Sequence, residues 1–318
     1  MRLSFVQRAT RFTAIAPIAV AIFAAFAPTV HPADAQTLYV STPFSGTVSK
    51  ITPAGMISPF ATGFRNPEGL AFDASGNLFV TSVSDNTISK VTPAGVVSTF
   101  ATGLRIPEGI AFDTSGNLFV ANLDTGTISE VTPQGVVSLF ASLPSGSVPV
   151  GLAFDASGNL FVSSTGVNTI SKVTPAGVVS TFATGLNAPE GLAFDTSGNL
   201  FVTNRNGNSI SKITSGGVVS PFANGLNAPL GLAFDAISGN LFVVNVDTGK
   251  ISEISSSGAV STFATGLNVP TFVAVAPVTA PESSTHALLA LPALATARRR
   301  KTPPSSARRR PAKKDTMP

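Results

Sequence analysis

Cysteine and tryptophan are absent from the 318 residues, and the sequence contains only one tyrosine and two histidines. Without cysteine there is no disulfide, no thiolate metal ligand and no thiol nucleophile. The histidines, His31 and His286, lie near the two ends of the chain. The long middle part therefore has neither a histidine base for a Ser-His-Asp triad nor histidine ligands for zinc. Carboxylates are the side chains left for acid–base chemistry.

Charged residues are also few, 11% of the chain, and they are unevenly distributed. Residues 36–277 carry eight Lys and Arg against 13 Asp and Glu, whereas residues 278–318 carry nine against two. The formal net charge of +4 therefore comes from the ends, and the middle is mildly acidic. Because the middle has no basic patch, we expect no nucleic-acid partner.

The first 35 residues have the layout of a secretory signal peptide. Arg2, Arg8 and Arg11 form a positive region, an apolar run extends from about residue 12 to residue 30, and Ala33-Asp34-Ala35 fits the A-x-A cleavage pattern. An uncleaved membrane anchor is the alternative. Both interpretations predict export. The cleaved signal implies transient membrane contact during translocation, whereas an anchor would stay in the membrane.

Residues 278–318 form a basic tail. Its stretch PESSTHALLALPALATARRRK (281–301) combines a Pro-Glu start, a short apolar segment and an arginine cluster. This layout resembles the PEP-CTERM sorting signal of Gram-negative bacteria, which implies delivery to the cell surface or the surrounding matrix. The second Pro of that motif is replaced by Ser283, and Pro292 interrupts the apolar segment. The alternative is a disordered tail rich in Pro, Ser and basic residues.

The middle part is an internal repeat. Prolines open successive units at spacings of 40, 42, 40, 40 and 41 residues: Pro67, Pro107, Pro149, Pro189, Pro229 and Pro270. One unit reads PEGLAFDASGNLFVTSVSDNTISKVTPAGVVSTFATGLRI, with four short β-type segments separated by turn residues. Four strands in about 40 residues are typical of a β-propeller blade.

The incomplete units at the ends of the repeat predict how the ring closes. Residues 37–66 match only strands two to four of a unit, and residues 270–277 match only strand one. We therefore predict an all-β, six-bladed propeller over residues 36–277, in which a C-terminal first strand completes the N-terminal blade. A seventh blade in the tail is the alternative, although the composition of the tail disfavours it.

Most of the repeated residues have structural roles. Leu70, Phe72, Leu78, Val80 and Phe100 are expected to pack adjacent blades together. An Asp follows the first strand of every complete unit, where its carboxylate is expected to form a turn. The members of this set are Asp73, Asp113, Asp155, Asp195 and Asp235.

Two columns of residues break the symmetry of the repeat, as a functional site would. The first follows the unit-opening proline and contains Glu68, Glu108, Val150, Glu190, Leu230 and Thr271. The second follows strand two and contains Ser82, Asn122, Ser164, Asn204 and Asn245, with Thr42 in the split blade.

The sequence PEGLAFDASGNLFV (67–80), followed by TISKVTPAG (87–95), resembles the NHL repeat and the gluconolactonase and streptogramin-lyase propellers. The gluconolactonase resemblance implies a divalent cation in the central channel, with Glu68, Glu108 and Glu190 as ligands. Asn122 and Asn204 would add neutral oxygens, a donor set that suits Ca²⁺. Local ion pairs of Arg65 with Glu68 and of Arg105 with Glu108 are the structural alternative. The streptogramin-lyase resemblance implies a histidine base, which residues 36–277 lack.

The loops between strands two and three vary most between units. They offer five candidate residues for contact with a partner: Asp85, Asp124, Asn168, Arg205 and Asp247. The near-identity of the blades favours a non-catalytic binding or scaffold module that meets an extracellular protein or matrix component. A cation-dependent lactonase that uses the channel glutamates is the alternative.

Overall fold

The computed structural model describes residues 37–277, and 24 β-strands account for most of them. The chain begins with β1 (Leu38–Thr42), β2 (Thr47–Ile51) and β3 (Ile57–Thr62), and it ends with β24 (Val273–Val275). Five complete units lie between them. The strands of the first three are β4 (Pro67–Phe72), β5 (Leu78–Ser82), β6 (Thr87–Val91) and β7 (Val97–Thr102) in blade 1; β8 (Pro107–Phe112), β9 (Leu118–Asn122), β10 (Thr127–Val131) and β11 (Val137–Ser142) in blade 2; and β12 (Pro149–Phe154), β13 (Leu160–Ser164), β14 (Thr169–Val173) and β15 (Val179–Ala183) in blade 3.

The last two complete units follow the same pattern. Their strands are β16 (Pro189–Phe194), β17 (Leu200–Asn204), β18 (Ser209–Ile213) and β19 (Val219–Asn224) in blade 4, and β20 (Pro229–Phe234), β21 (Leu241–Asn245), β22 (Lys250–Ile254) and β23 (Val260–Thr265) in blade 5. Three single 3-10 turns, Pro43–Ser45, Thr165–Val167 and Val246–Thr248, occupy loops between second and third strands. Within residues 37–277, no helix has the length and hydropathy needed to cross a membrane.

Each blade is a four-stranded antiparallel sheet, and the sixth blade closes the ring. Its strand order is β24-β1-β2-β3, with Leu38 opposite Val275 and Val40 opposite Val273. The six-bladed fold and its closure by a C-terminal first strand are therefore confirmed. Closure pairs strand edges that would otherwise be exposed at the seam between the two ends.

The first strands surround the central axis, because β4, β8, β12, β16, β20 and β24 each contact the next around the ring. In blade 1, Pro67 pairs with Ser82, so the start of a first strand lies beside the end of the second. We call this side, with the loops between second and third strands, the upper face. The opposite side, with the Asp turns and the turns between third and fourth strands, is the lower face.

The Asp turns have the predicted structural role. The Asp73 Oδ1 atom accepts hydrogen bonds from the backbone N–H groups of Ser75 at 2.9 Å and Asn77 at 2.8 Å. The Asn77 side chain donates to the other carboxylate oxygen at 2.8 Å. The same bonds recur at Asp113, Asp155 and Asp195. These carboxylates therefore accept hydrogen bonds from backbone N–H groups of the turns that have no partner in the sheet.

Neighbouring blades pack through phenylalanines and small aliphatic residues. The ring of Phe79 meets those of Phe100 and Phe112 edge to face, with centroids 4.8 and 5.1 Å apart. Leu78 and Val80 are almost fully buried, and Leu70 lies in the same cluster. The packing predicted from the repeat is confirmed, with Tyr39 taking the place of the central phenylalanine in the split blade.

Candidate functional site at the upper mouth of the channel

The first asymmetric column forms a layer at the upper mouth of the central channel. Glu190, Val150, Leu230 and Thr271 are each less than a tenth exposed, while Glu68 and the equivalent Glu108 are partly exposed. Below this layer, apolar residues of the first strands line a cavity of about 280 Å³. The carboxylates therefore lie between solvent and this cavity.

Hydroxyl groups of the second strands hold this layer in place. Thr81 Oγ1 accepts a hydrogen bond from the N–H of Gly69 at 2.8 Å and donates to the carbonyl of Glu108 in the next blade at 2.9 Å. Ser163 does the same for Gly151 and the carbonyl of Glu190, at 2.7 and 2.6 Å. This column escaped the sequence analysis. Its signal was a hydroxyl residue, Ser or Thr, near the end of strand two in four of the six blades.

The glycine after each glutamate is required by the close approach of the neighbouring first strand. At Gly109 an added Cβ would overlap the carbonyl oxygen of Val150 in the next blade. The backbone of adjacent first strands therefore meets without intervening side chains. As a result, the residues just before these glycines are brought close together around the axis.

Arg205 places a positive charge at the upper mouth of the channel. Its guanidinium lies 3.3 Å from the carboxylate of Glu190, whose side chain is only 6% exposed. The pairing of Pro189 with Asn204 explains this contact, because it places the loop that begins at Arg205 above the start of β16. Sequence analysis assigned Arg205 to partner contact alone, and the structure adds this intramolecular role.

The three glutamates resist ionisation. Burial raises the pKa of Glu68 to about 7, and the nearby charge of Glu190 adds to this effect, while a hydrogen bond from Thr271 and the charge of Arg205 oppose it. Burial also raises the pKa of Glu108 well above its usual range, assisted by the charges of Glu68 and Glu190. Burial raises the pKa of Glu190 too, although Arg205 counters the shift. The charge of Glu190 thus raises the pKa of both Glu68 and Glu108, and the charge of Glu68 raises that of Glu108, whereas Glu190 itself responds to Arg205.

The local ion pairs considered as the alternative for Glu68 and Glu108 are wrong. Arg65 pairs instead with Asp85, at 3.3 Å on the exposed rim. Arg105 forms no ion pair with a residue in the described range 37–277. A separation of three residues across the bend before a first strand does not bring the two side chains together.

The side chains of Asn122 and Asn204 connect the third strand of their blade to the loop that precedes its first strand. Each is almost fully buried, and their amide oxygens accept hydrogen bonds from the backbone N–H groups of Arg105 and Asn187, both at 3.1 Å. Their amide nitrogens donate to serine hydroxyls of the third strands at 2.9 Å. Both asparagines therefore already have structural partners, and their proposed role as metal ligands stays a prediction.

Blade 3 lacks this asparagine. Ser164 takes its place, and its hydroxyl and that of Ser147 in the preceding loop are buried without a hydrogen-bond partner among the described residues. The loop that contains Ser147 lies in the unit whose spacing is 42 residues. A hydrogen bond from the N–H of Ser147 to the carbonyl of Pro144 forms a turn within this loop.

The donor atoms at the mouth do not fit a calcium ion as they are arranged. In residues 37–277, no group of three or more His, Cys, Asp or Glu side chains lies close enough together to hold a metal ion. Arg205 already supplies a positive charge beside Glu190. Calcium needs six to eight oxygens at 2.3–2.6 Å, so binding would require the glutamates to move.

The predicted partner-contact residues all lie on the rim of the upper face, and all five are exposed. Asp124 and Asp247 form no ion pair with any described residue. Asn168 is partly committed to structure, because its amide oxygen accepts the N–H of Ala188 at 2.8 Å. The structure adds Phe44, which the sequence analysis missed. Its side chain lies in the equivalent loop of blade 6 and is 79% exposed.

This chain belongs to the virginiamycin B lyase family, whose match covers residues 64–280. The match spans every complete blade. No curated protein matches the sequence.

Solved structures with low identity share the fold. A chain from a nidogen/laminin complex is 19% identical, with a TM-score of 0.67 over 77% of this chain and 99% of its own. A catalytically inactive histidine-to-alanine variant of virginiamycin B lyase from Staphylococcus aureus, with quinupristin, is 18% identical, with a TM-score of 0.60 over 76% and 88%. A gluconolactonase from Xanthomonas campestris is 19% identical, with a TM-score of 0.58 over 65% and 78%. The architecture therefore occurs in a lyase, a lactonase and a complex of two proteins.

Proposed function

We propose that this protein is an exported, non-catalytic binding module whose upper face takes a positively charged group of an extracellular protein or matrix component. The observation that carries the proposal is the layer of three electrostatically linked glutamates at the channel mouth. Arg205 pairs with Glu190, whereas Glu68 and Glu108 form no ion pair with any residue of the described range. Two carboxylates are thus left for a ligand.

The environment of these carboxylates favours a cation. Burial makes their ionised forms costly, as the raised pKa of Glu68 and Glu108 indicates. A ligand ammonium or guanidinium placed beside them would favour ionisation and form charge-assisted hydrogen bonds. The exposed carboxylates of Asp124 and Asp247 on the rim would attract the same ligand from solution.

The residues available for chemistry support a non-catalytic role. The inactive relative from Staphylococcus aureus has lost one histidine. Residues 37–277 of this chain contain no histidine and no cysteine, so neither a histidine base nor a thiol nucleophile is available. Five blades also repeat nearly the same sequence, whereas a catalytic pocket needs blades that differ around the substrate. Export is proposed on the basis of the signal-like residues 1–35, which lie outside the described residues.

The test is calorimetric titration of the protein with a tetralysine amide, and with a tetraglutamate peptide as the opposite charge. We expect the basic peptide alone to bind, and Glu108→Gln to weaken it about tenfold, the loss of one charge-assisted hydrogen bond. Glu130→Gln removes the same charge from β10, away from the channel, and is the matched control. Equal affinity of both variants, or no binding of the basic peptide, would overturn the proposal.

The cation-dependent lactonase is the second candidate, favoured by the shared environment of the glutamates. It is tested by thermal unfolding in EDTA and then with added Ca²⁺. A cation that binds only the folded state stabilises it by about 2.7 kcal/mol at a hundredfold excess over its dissociation constant. A calcium-dependent rise in Tm that Glu68→Gln abolishes would support this candidate and justify a screen of lactones. An unchanged Tm would remove it.

A further inference from the structure

The lower face carries a second kind of pocket, which lies between neighbouring blades and occurs at two places in the ring. The pocket between blades 1 and 2 has a volume of about 420 Å³. The one between blades 4 and 5 has about 300 Å³. Equivalent residues line both. In the first pocket they include Asp73, Ser75, Phe79, Lys90, Phe100 and Phe112. In the second they include Asp195, Ser197, Phe201, Lys212, Phe222 and Phe234.

A lysine beside a phenylalanine ring contributes an ammonium group and an apolar wall to each pocket, next to the aspartates of the turns, which are Asp73 and Asp113 in the first pocket and Asp195 in the second. The Lys90 Nζ atom lies 5.5 Å from the centroid of the Phe79 ring, and Lys212 lies 5.7 Å from that of Phe201. Lys172 repeats the arrangement over Phe161 at 5.5 Å. These lysines come from third strands, and each is held over a ring that neighbouring phenylalanines fix edge to face.

Two of these three lysines form no ion pair among the described residues. Lys172 and Lys212 lie in no ion pair with a residue of the described range, and Lys90 is 3.9 Å from the Asp73 carboxylate. That carboxylate is already occupied by the turn backbone. The first pocket therefore offers an ammonium group, serine hydroxyls and the partly exposed rings of Phe100 and Phe112 together.

Two blades differ in charge at this position. Blades 2 and 5 have Glu130 and Glu253 in place of the lysine, and Glu253 accepts a hydrogen bond from the Asn240 side chain at 2.7 Å. Lys–Phe pairs therefore occur in blades 1, 3 and 4. Two of these three pairs line the pockets described above, in blades 1 and 4 of one ring.

We propose that the lower-face pockets bind carboxylated sugar units of an acidic extracellular polysaccharide. The lysine would bind the carboxylate, the serines would bond to hydroxyl groups, and the phenylalanines would contact the apolar face of the sugar ring. A polymer that presents the same unit repeatedly could occupy several pockets at once, and linked binding of this kind can raise affinity 10²–10⁴-fold. This proposal concerns a different face and the opposite ligand charge from the proposed function.

The test is calorimetric titration with long galacturonate oligomers, galacturonate monomer, the methyl-esterified oligomers and polyglutamate. We expect the long oligomers to bind at least about a hundredfold more tightly than the monomer. The methyl ester should lose binding because it has no carboxylate. Polyglutamate should bind much more weakly, because it presents carboxylates without the hydroxyl groups and the apolar ring face that the serines and phenylalanines would contact.

Variants separate the pockets from general charge effects. The double variant Lys90→Gln with Lys212→Gln should lower the affinity for the oligomers at least tenfold. Lys250→Gln changes an exposed lysine on the upper face and is the control, and equal melting of all variants establishes that they fold. Glu108→Gln should leave oligomer binding unchanged, which distinguishes this proposal from the proposed function. The inference is overturned by the absence of oligomer binding, by equal affinity of the double variant and the parent, or by equally tight binding of polyglutamate.

Discussion

Glu68 is a carboxyl group whose protonation is linked to folding. Its pKa is raised from 4.5 to about 7, chiefly by burial. Between these two pH values the folded protein holds a proton that the unfolded chain has released. The contribution of this group to stability is therefore fully present below pH 4.5 and is lost as the pH rises through 7. The raised pKa values of Glu108 and Glu190 act in the same direction.

We predict that the free energy of unfolding falls more steeply between pH 5 and pH 8 in the parent protein than in Glu68→Gln. Glutamine does not titrate, so the contribution of position 68 to the pH dependence of the free energy of unfolding disappears in the variant. Urea unfolding at several pH values measures this difference. Glu130→Gln should keep the slope of the parent protein. Identical slopes in the Glu68 variant and the parent would show that this group titrates in the usual range.

Several single-residue roles could not be predicted, because they depend on contacts between segments distant in sequence. The column that contains Asn122 and Asn204 was visible in the repeat. Its hydrogen bonds to the segment that links the preceding blade to the first strand were not. Arg205 was visible as an exposed loop residue. Its contact with Glu190 depends on the register of β16 with β17. The glutamates themselves could be found, because they are exceptions in an otherwise uniform column.

Second strands also connect neighbouring blades through buried hydroxyl groups, and β13 offers a matched test. Ser163 and Ser164 are adjacent and fully buried. Ser163 satisfies Gly151 and the carbonyl of Glu190, whereas Ser164 has no hydrogen-bond partner among the described residues. One serine thus stabilises the strand contacts, and the other buries a hydroxyl without compensation.

We predict opposite effects of removing the two hydroxyls. Ser163→Ala should lower the free energy of unfolding by about 1–3 kcal/mol, because it leaves a buried N–H and a buried carbonyl unsatisfied. Ser164→Ala should be neutral or stabilising by up to about 1 kcal/mol, since the hydroxyl lost had no partner. Denaturant unfolding compares the two, and each variant is the control for the other. Equal losses would mean that Ser164 has a partner, such as a buried water molecule.

At the scale of the whole molecule, the ring depends on the strand that closes it. Phe272 and Val273 are 8% and 6% exposed, and the N–H of Ser41 donates to the carbonyl of Phe272. Removing β24 would expose these apolar contacts and one edge of β1. Each buried apolar side chain contributes about 1.5–3 kcal/mol.

We predict that a chain ending at Val269 is destabilised by at least about 3–6 kcal/mol relative to one ending at Pro277, the sum for two such side chains. Thermal and urea unfolding measure the loss. A synthetic peptide of residues 270–277 should restore part of it by occupying the vacant edge. Equal stability of the two chains would show that the seam adds nothing to the ring.

The architecture was predictable to a degree that the site was not, and the repeat is the reason. Every unit places similar turn residues at the same offsets, so five copies support one assignment of strands. The split between residues 37–66 and 270–277 predicts six blades, and the pairing of β1 with β24 confirms this count. The alignment of side chains from different blades at the channel mouth, by contrast, depends on the relative rotation of blades that the repeat does not encode.

The pairing of β1 with β24 also fixes the orientation in which the protein would be displayed. Residues 37 and 276 are joined by a backbone hydrogen bond of 2.9 Å, so both ends of the propeller leave side by side from the lower face. A tether attached at either end would hold that face toward its support. The glutamate mouth would then point outward, and the lysine pockets would face the material to which the protein is attached.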